Sequence, residues 1–410
     1  MWDRSWSPTR SYLRNHDHET DVNYTLEMCR WLLKPIGVWT LIYHRASNLE
    51  RAVSMLLQVA CFSCLLFIIL PSANNIFFVE KDIQVKVKLL GPVGFCMFSA
   101  VKYCYIGAKG KILGRCIQHV EKDWRTVDEQ GHRAIMLKHA SVSRHLITVC
   151  IIFLYTGGMS YHTVVQFLSK ATRRQNVTAR PLTYPCFNFL DVQSTPTYEI
   201  VFFLHCAAAM IMYTVTSAAY SLAATFVMHI CGQIQIQIVR LENLIGGHRE
   251  KDGFHERMAV IVRDHVQILR FSKDVEEALR EVCLTEIVES TLIICMLEYY
   301  CMMEWSNSDA IAILTYFTLL ISFTFNILIF CYIGEILSEQ CSRMGAASYN
   351  IRWYNLPAKK AYNLVLLSAI SLYPPKLTAG KIIELSLNTF GVIVKTSVVY
   401  LNLLRTVTTF

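Results

Sequence analysis

Apolar residues along this chain gather in blocks of about 20, separated by polar stretches that carry the charge. That block length matches a helix crossing a bilayer, not the four- to eight-residue runs of strands. The first block covers 52–70 and is expected to end at Pro71-Ser-Ala-Asn-Asn75. The second, 89–108, is interrupted by Pro92 and holds Lys102 close enough to its far end to snorkel. The third, 146–168, contains Gly157-Gly158, where a missing side chain allows close packing or leaves room for a ligand. The fourth, 198–230, runs 33 residues and must tilt or project from the bilayer. The fifth, 282–303, contains Glu286, Glu289 and Glu298, and is expected to continue a helix starting near Glu256 and roughly 70 Å long. The sixth, 310–333, is free of charge over 24 residues. The last lies within 372–410 and carries Glu384, Asn388, Lys395 and Asn402. With Lys395 as origin, these four fall within about 20° of one line along a helix. Gly391, Val399 and Thr406 lie within about 40° of it. Unpaired polar groups in lipid cost several kcal/mol, so that line is expected to face protein or a watery path.

Between the blocks, residues 1–51 read as a cytoplasmic tail with an interfacial half around Trp31 and Trp39. His16, His18, Glu19 and Asp21 are expected to be solvated and not to hold a metal. Residues 231–281 are charged and helix-like, with Met258, Ile261, Val262, His265 and Leu269 on one face. Residues 335–373 form a second helix-like connection, ending at Pro374-Pro375. Lysine and arginine set the orientation: alternate segments hold 27 against 8, which puts the amino terminus in the cytoplasm and the carboxyl terminus outside. The sequon at Asn176 then falls in an outer loop and is a candidate for glycosylation. The expected fold is all-α, with seven transmembrane helices: spans one to six within 52–334, and the seventh in 374–410.

Composition agrees, at 53% hydrophobic and only 17% charged. The net charge of +8 follows membrane topology and forms no continuous basic face, so nucleic acid is not an expected partner. Most of the 15 cysteines sit inside apolar blocks, as small buried hydrophobes. Gly107, Gly110 and Gly114 lack the spacing of a phosphate loop, and His255-Glu256 lacks the second histidine of a zinc protease. No Ser/His/Asp set can be argued from neighbouring motifs. Neither enzyme activity nor a cofactor is expected.

The last third of the chain carries more specific signals. Cys331-Tyr-Ile-Gly334, Ala347-Ser-Tyr349, Trp353-Tyr354, Ser371 through Pro374-Pro375, Ala379-Gly380, Leu385-Ser386, Lys395-Thr-Ser397 and Leu403-Leu-Arg-Thr-Val407 resemble the insect odorant receptor family. Arg180-Pro-Leu-Thr-Tyr-Pro185, Asp191 and Pro196-Thr-Tyr-Glu199 resemble its second extracellular loop and fourth span. The last helix lacks the Thr-Tyr…Gln-Phe signature of the related gustatory receptors, and the second cytoplasmic loop is shorter than that of the co-receptor, Orco. The chain therefore resembles a tuning receptor. It departs from many of those at Val398-Val399-Tyr400, where they show Tyr-Ser-Tyr.

The resemblance implies a subunit of an odorant-gated, non-selective cation channel in the plasma membrane of olfactory sensory neurons. Four subunits, usually including Orco, would surround a pore made by the seventh helices, with 231–281 and 335–373 as cytoplasmic anchor segments. The implied gate is Leu403 with Thr406, and helical geometry adds Val399. The implied ligand site, in the outer halves of spans two, three, four and six, holds Phe95, Phe98, Gly158, Tyr161, His162, Phe203, Met210, Tyr316 and Phe323. Such a lining suits a small apolar volatile. Two other readings compete. A seven-span receptor signalling through G proteins requires an external amino terminus and motifs such as Asp-Arg-Tyr, and a transporter requires internal repeats. None of these features is visible in the sequence.

Overall fold

A computed structural model describes residues 15–43, 46–127, 129–165, 182–187, 191–244, 254–307, 310–351, 353–355, 358–372 and 374–408. Asn176 lies outside the described residues. In chain order the helices are α1 (His18–Leu33), α2 (Trp39–Ile42), α3 (Asn48–Asn74), α4 (Ile83–Ala108), α5 (Gly110–Thr126) and α6 (Gln130–Ser160). They are followed by α7 (Thr197–Glu242), α8 (Phe254–Asn307), α9 (Ala310–Asn350), α10 (Ala358–Ser371) and α11 (Leu387–Thr408). Six of them, α3, α4, α6, α7, α9 and α11, are long and apolar enough to cross a membrane. The seventh long helix, α8, is the acidic one expected from the sequence. It is continuous over 54 residues, roughly 80 Å, and so extends well past a bilayer.

Several local expectations give way to the structure. Pro71 does not end the first span: α3 runs through it to Asn74 and closes in a wide turn at Asn75–Val79. A proline removes one N–H, and a single missing bond near a helix end is tolerated. The start of α3 is fixed by a capping box, with Ser47 accepting from the Glu50 N–H and Glu50 reaching back to Ser47 N. The described part of the amino-terminal segment packs on the bundle, because α1 buries Leu26, Cys29 and Leu33. Asp21 is buried as well, accepting two bonds from Arg133 at 2.8 and 2.9 Å. Among the described residues no group of three His, Cys, Asp or Glu could hold a metal.

The largest correction concerns the final stretch. Glu384 is not on the last helix but in a short antiparallel hairpin, Thr378–Ala379 against Ile383–Glu384. Gly380 and Lys381, both at φ 61°, turn the hairpin. It is seated on α8 by Gly380 N–H donating to Arg280 O at 2.9 Å and by the Thr378 hydroxyl donating to Glu276. Leu385 lies so close to Gly334 on α9 that any side chain there would collide with its backbone. Helix α11 therefore starts at Leu387, and its polar line is Asn388, Lys395, Asn402 and Thr406.

Lys102 was expected to snorkel, but it is sealed in the bundle. Its ammonium lies 2.8 Å from Glu286, 2.9 Å from Glu289 and 2.9 Å from the Thr216 hydroxyl, so each of its three hydrogens has a partner. Tyr220 donates to the other Glu286 oxygen at 2.6 Å. This is the middle rung of a ladder between antiparallel helices. Lys88 meets Glu304 at 2.6 Å near one end, and Lys109 meets Glu281 at 3.2 Å near the other. Four of the α8 acids, Glu281, Glu286, Glu289 and Glu304, are thus met by lysines on or at the end of α4.

Candidate functional site

A cavity of about 50 Å³ sits where α4, α7, α8 and α9 converge with the turn after α6. The α4 wall is Gly91, Pro92 and Phe95, and the α9 wall is Tyr316, Leu319 and Phe323. Helix α8 contributes Ile293, Met296, Leu297 and Tyr300, one face at i, i+3, i+4 and i+7. Tyr161 and His162 come from a wide helical turn, Tyr161–Val165, that closes α6. Tyr213 of α7 and Tyr184 of the segment 182–187 complete the lining.

Local chemistry explains how the walls are held. Pro92 has no N–H, which leaves the Lys88 carbonyl without its helical partner. The Tyr300 hydroxyl wedges into this turn, accepting from Gly91 N–H (3.1 Å), donating to Val87 O (2.8 Å) and approaching the orphaned Lys88 O (3.3 Å). Gly91 has no side chain because the Tyr300 ring occupies that space. Gly158 is likewise occupied by the ring of Tyr213, and a Cβ on Gly157 would press on Ser322 of α9. Both glycines serve helix packing. His162 Nδ1 lies 3.0 Å from Gly158 O and 3.2 Å from the Tyr213 hydroxyl, and its Nε2 is 3.3 Å from the Tyr184 hydroxyl. The rings interlock, with Phe95 edge-on to Phe323 at 5.4 Å and Tyr316 between Tyr300 (5.3 Å) and Tyr161 (6.1 Å).

Of the residues expected at a ligand site, the structure gathers Phe95, Tyr161, His162, Tyr316 and Phe323 around one space. Gly158 stands behind it, supporting Tyr213. Phe98 is half-buried and lines no part of it. Phe203, 72% exposed, and Met210, 42% exposed, point away from the bundle. Tyr184, Tyr213 and the whole α8 face are not among the residues expected from the sequence. The Ile293–Met296–Leu297–Tyr300 spacing could have revealed that face. Tyr184 lies in an irregular segment without periodicity and offered no such signal.

The other expected site lies on α11. This helix buries Thr389, Ile393 and Ser397 along one narrow face, and the Ser397 hydroxyl donates to Glu298 of α8 at 3.2 Å. Ser397 is about 160° around the helix from Lys395, so the polar line is turned away from the chain's own bundle. Val399 and Leu403, each 62% exposed, and Thr406 also lie on uncovered surface. Among the described residues Lys395 has no ion-pair partner.

Comparison with known proteins agrees with this architecture. The chain is 24% identical over 278 residues to odorant receptor 13a of Drosophila melanogaster, covering 64% of each chain. It is 25% identical over 226 residues to odorant receptor Or2 of Anopheles gambiae, covering 53% of this chain and 59% of that one. The matches thus span about three fifths of those relatives. The fold is similar to that of the insect olfactory receptor OR5 from Machilis hrabei in complex with eugenol, with TM-score 0.79, 13% identity, and coverage of 95% of this chain and 100% of that one. The same receptor without that ligand gives TM-score 0.77 and 14% identity, covering 95% of this chain and 99% of that one. The 7tm odorant receptor family model matches residues 82–398, and this multi-pass, all-α membrane protein belongs to that family.

Proposed function

We propose that the chain is a tuning subunit of an odorant-gated, non-selective cation channel, assembled with Orco in a heterotetramer in the plasma membrane of olfactory sensory neurons. In this reading the amino terminus is cytoplasmic, the lower parts of α7 to α10 form an anchor, and Asn176 lies on the glycosylated outer side. The observation that carries the reading is the outward polar line of α11. A helix apolar enough to cross a bilayer docks by its Ser397 face and leaves Asn388, Lys395, Asn402 and Thr406 uncovered. Polar groups at membrane depth persist where they meet other helices or water, and copies arranged around an axis supply both. Val399, Leu403 and Thr406, on the carboxyl-terminal part of that helix, are the gate. The aromatic cavity is the ligand site, as eugenol bound to a receptor of the same fold suggests. Helix α8 lies between the two, with its cavity face on one side and Glu298 against Ser397 on the other.

The test is electrical. Expressed with Orco and screened against volatiles, the chain should give rapid cation current without added nucleotide or G protein. Absence of odorant-evoked current despite surface expression with Orco would overturn the reading.

A further inference from the structure

We propose that the cavity selects volatiles carrying a hydrogen-bond acceptor, such as a ketone, ester or ether oxygen, on an apolar body, and discriminates against hydrocarbons and amines. This rests on the reading of the cavity as the odorant site. Gly158 O can only accept, so the His162 Nδ1 beside it carries the proton. The Tyr213 oxygen, 3.2 Å from the same nitrogen, is then an acceptor of that N–H, and its own hydrogen is not used there. Protonating Nε2 as well would reverse the Tyr184 contact and leave this result unchanged. Tyr161 and Tyr316 line the same space, and neither hydroxyl has a hydrogen-bond partner among the described residues. Two lining residues, Tyr161 and Tyr316, thus carry O–H donors without an acceptor among the described residues, and a third, Tyr213, packs its hydroxyl against Gly158 with its hydrogen unused by His162.

The described lining offers no charged group to complement an amine or an acid. Lys102, whose ammonium is 5.8 Å from the Phe95 ring centroid, has all three hydrogens engaged elsewhere. The Tyr300 hydroxyl, with both its donor and acceptor capacity used by α4, is unavailable to a ligand. A site whose donors are left unpaired by the wrong ligand discriminates more strongly than one relying on shape alone.

Two nearly isosteric probes test the idea: acetophenone, and α-methylstyrene, in which a CH₂ replaces the carbonyl oxygen. Equilibrium binding is measured on the purified full chain in nanodiscs, with protein-free nanodiscs subtracted, for the parent and for Tyr161→Phe, Tyr213→Phe and Tyr316→Phe. The readout is the ratio of the two dissociation constants, in which partitioning into lipid cancels between variants. The ratio is expected to shift towards the hydrocarbon by about three- to tenfold in at least one variant. An additional arm with 1-phenylethylamine is expected to show at least about tenfold weaker binding than acetophenone to the parent. If both neutral probes bind and the ratio is the same in all four proteins, the acceptor preference is wrong while the cavity remains the binding site. Equal binding of the amine also overturns it. If neither neutral probe binds, the proposal and the reading of the cavity fall together.

Discussion

Lys102→Met separates packing from charge at the centre of the bundle. Methionine keeps much of the unbranched stem and its contacts, so the loss is mainly electrostatic. In the parent the side chains are essentially sealed, at 0% exposed for Lys102, 3% for Glu286 and 1% for Glu289. The variant leaves two carboxylates in that space, with only Tyr220 and a long 3.5 Å contact from Ser290 donating to Glu286. Removing one partner of a buried ion pair costs about 3–5 kcal/mol, a large share of the roughly 5–15 kcal/mol that holds a typical domain together. The triple variant Lys102→Met, Glu286→Gln, Glu289→Gln removes every charge. It should recover most of the loss, because uncharged replacements of a buried ion pair are often neutral or stabilising. Thermal unfolding in nanodiscs, read alongside surface expression, gives both comparisons. The reasoning is refuted if Lys102→Met melts with the parent, or if the triple variant melts no higher than the single one.

Four further outcomes are expected. Tyr300→Phe should cost about 1–3 kcal/mol and speed hydrogen exchange around residues 87–92, because this hydroxyl bridges the turn that Pro92 opens; unchanged exchange there would count against the bridging role. Phe203→Ala should leave ligand affinity unchanged while Tyr316→Ala weakens it at least about tenfold; the opposite result in a binding assay would move the ligand site to the outer surface. Burial lowers the imidazoles of His119, on α5, and His265, on the part of α8 before its apolar block, below their ordinary 6.5. The unfolded chain therefore binds more protons below pH 6.5, so melting temperature should hold above that pH and fall as acid is added towards the depressed folded values. His265→Gln should flatten that fall, and a pH-independent melt from 7.5 to 5.5 would contradict it. Lys395→Gln should leave ion selectivity unchanged, since lysines facing a cation path would oppose conduction; an altered reversal potential would place this side chain in the pore.

Much of the architecture could be read from the chain because apolar block length reports bilayer thickness directly. The continuous helix through Glu286 was legible for the same reason, its acids notwithstanding. Their partners were legible in principle, since Lys88, Lys102 and Lys109 are spaced at multiples of seven and share one face of α4. Elsewhere periodicity misled. Glu384 fell on the helical line of Lys395 although it belongs to a hairpin, and only the positive φ at Gly380 and Lys381 exposes the break. The cavity was half legible: aromatic residues mark the region, but α7 is apolar on nearly every side. Nothing in its sequence says that Tyr213 faces inward while Phe203 and Met210 face out.

The ladder between α4 and α8 limits how this protein can move. Its rungs at Lys88–Glu304, Lys102–Glu286 and Lys109–Glu281 are spread along nearly the full length of α4. Sliding one helix past the other by a turn, about 5.4 Å, would unpair all three at once. The two helices therefore behave as a single stiff strut, free to tilt or rotate as a unit but not to shear. Among the described residues, the joint between α8 and α11 shows one side-chain hydrogen bond, Ser397 to Glu298, in place of three rungs. With fewer charged contacts that joint resists sliding less than the ladder does, and on the proposed reading of the cavity a displacement of its wall would reach the last helix as a swing of the whole strut.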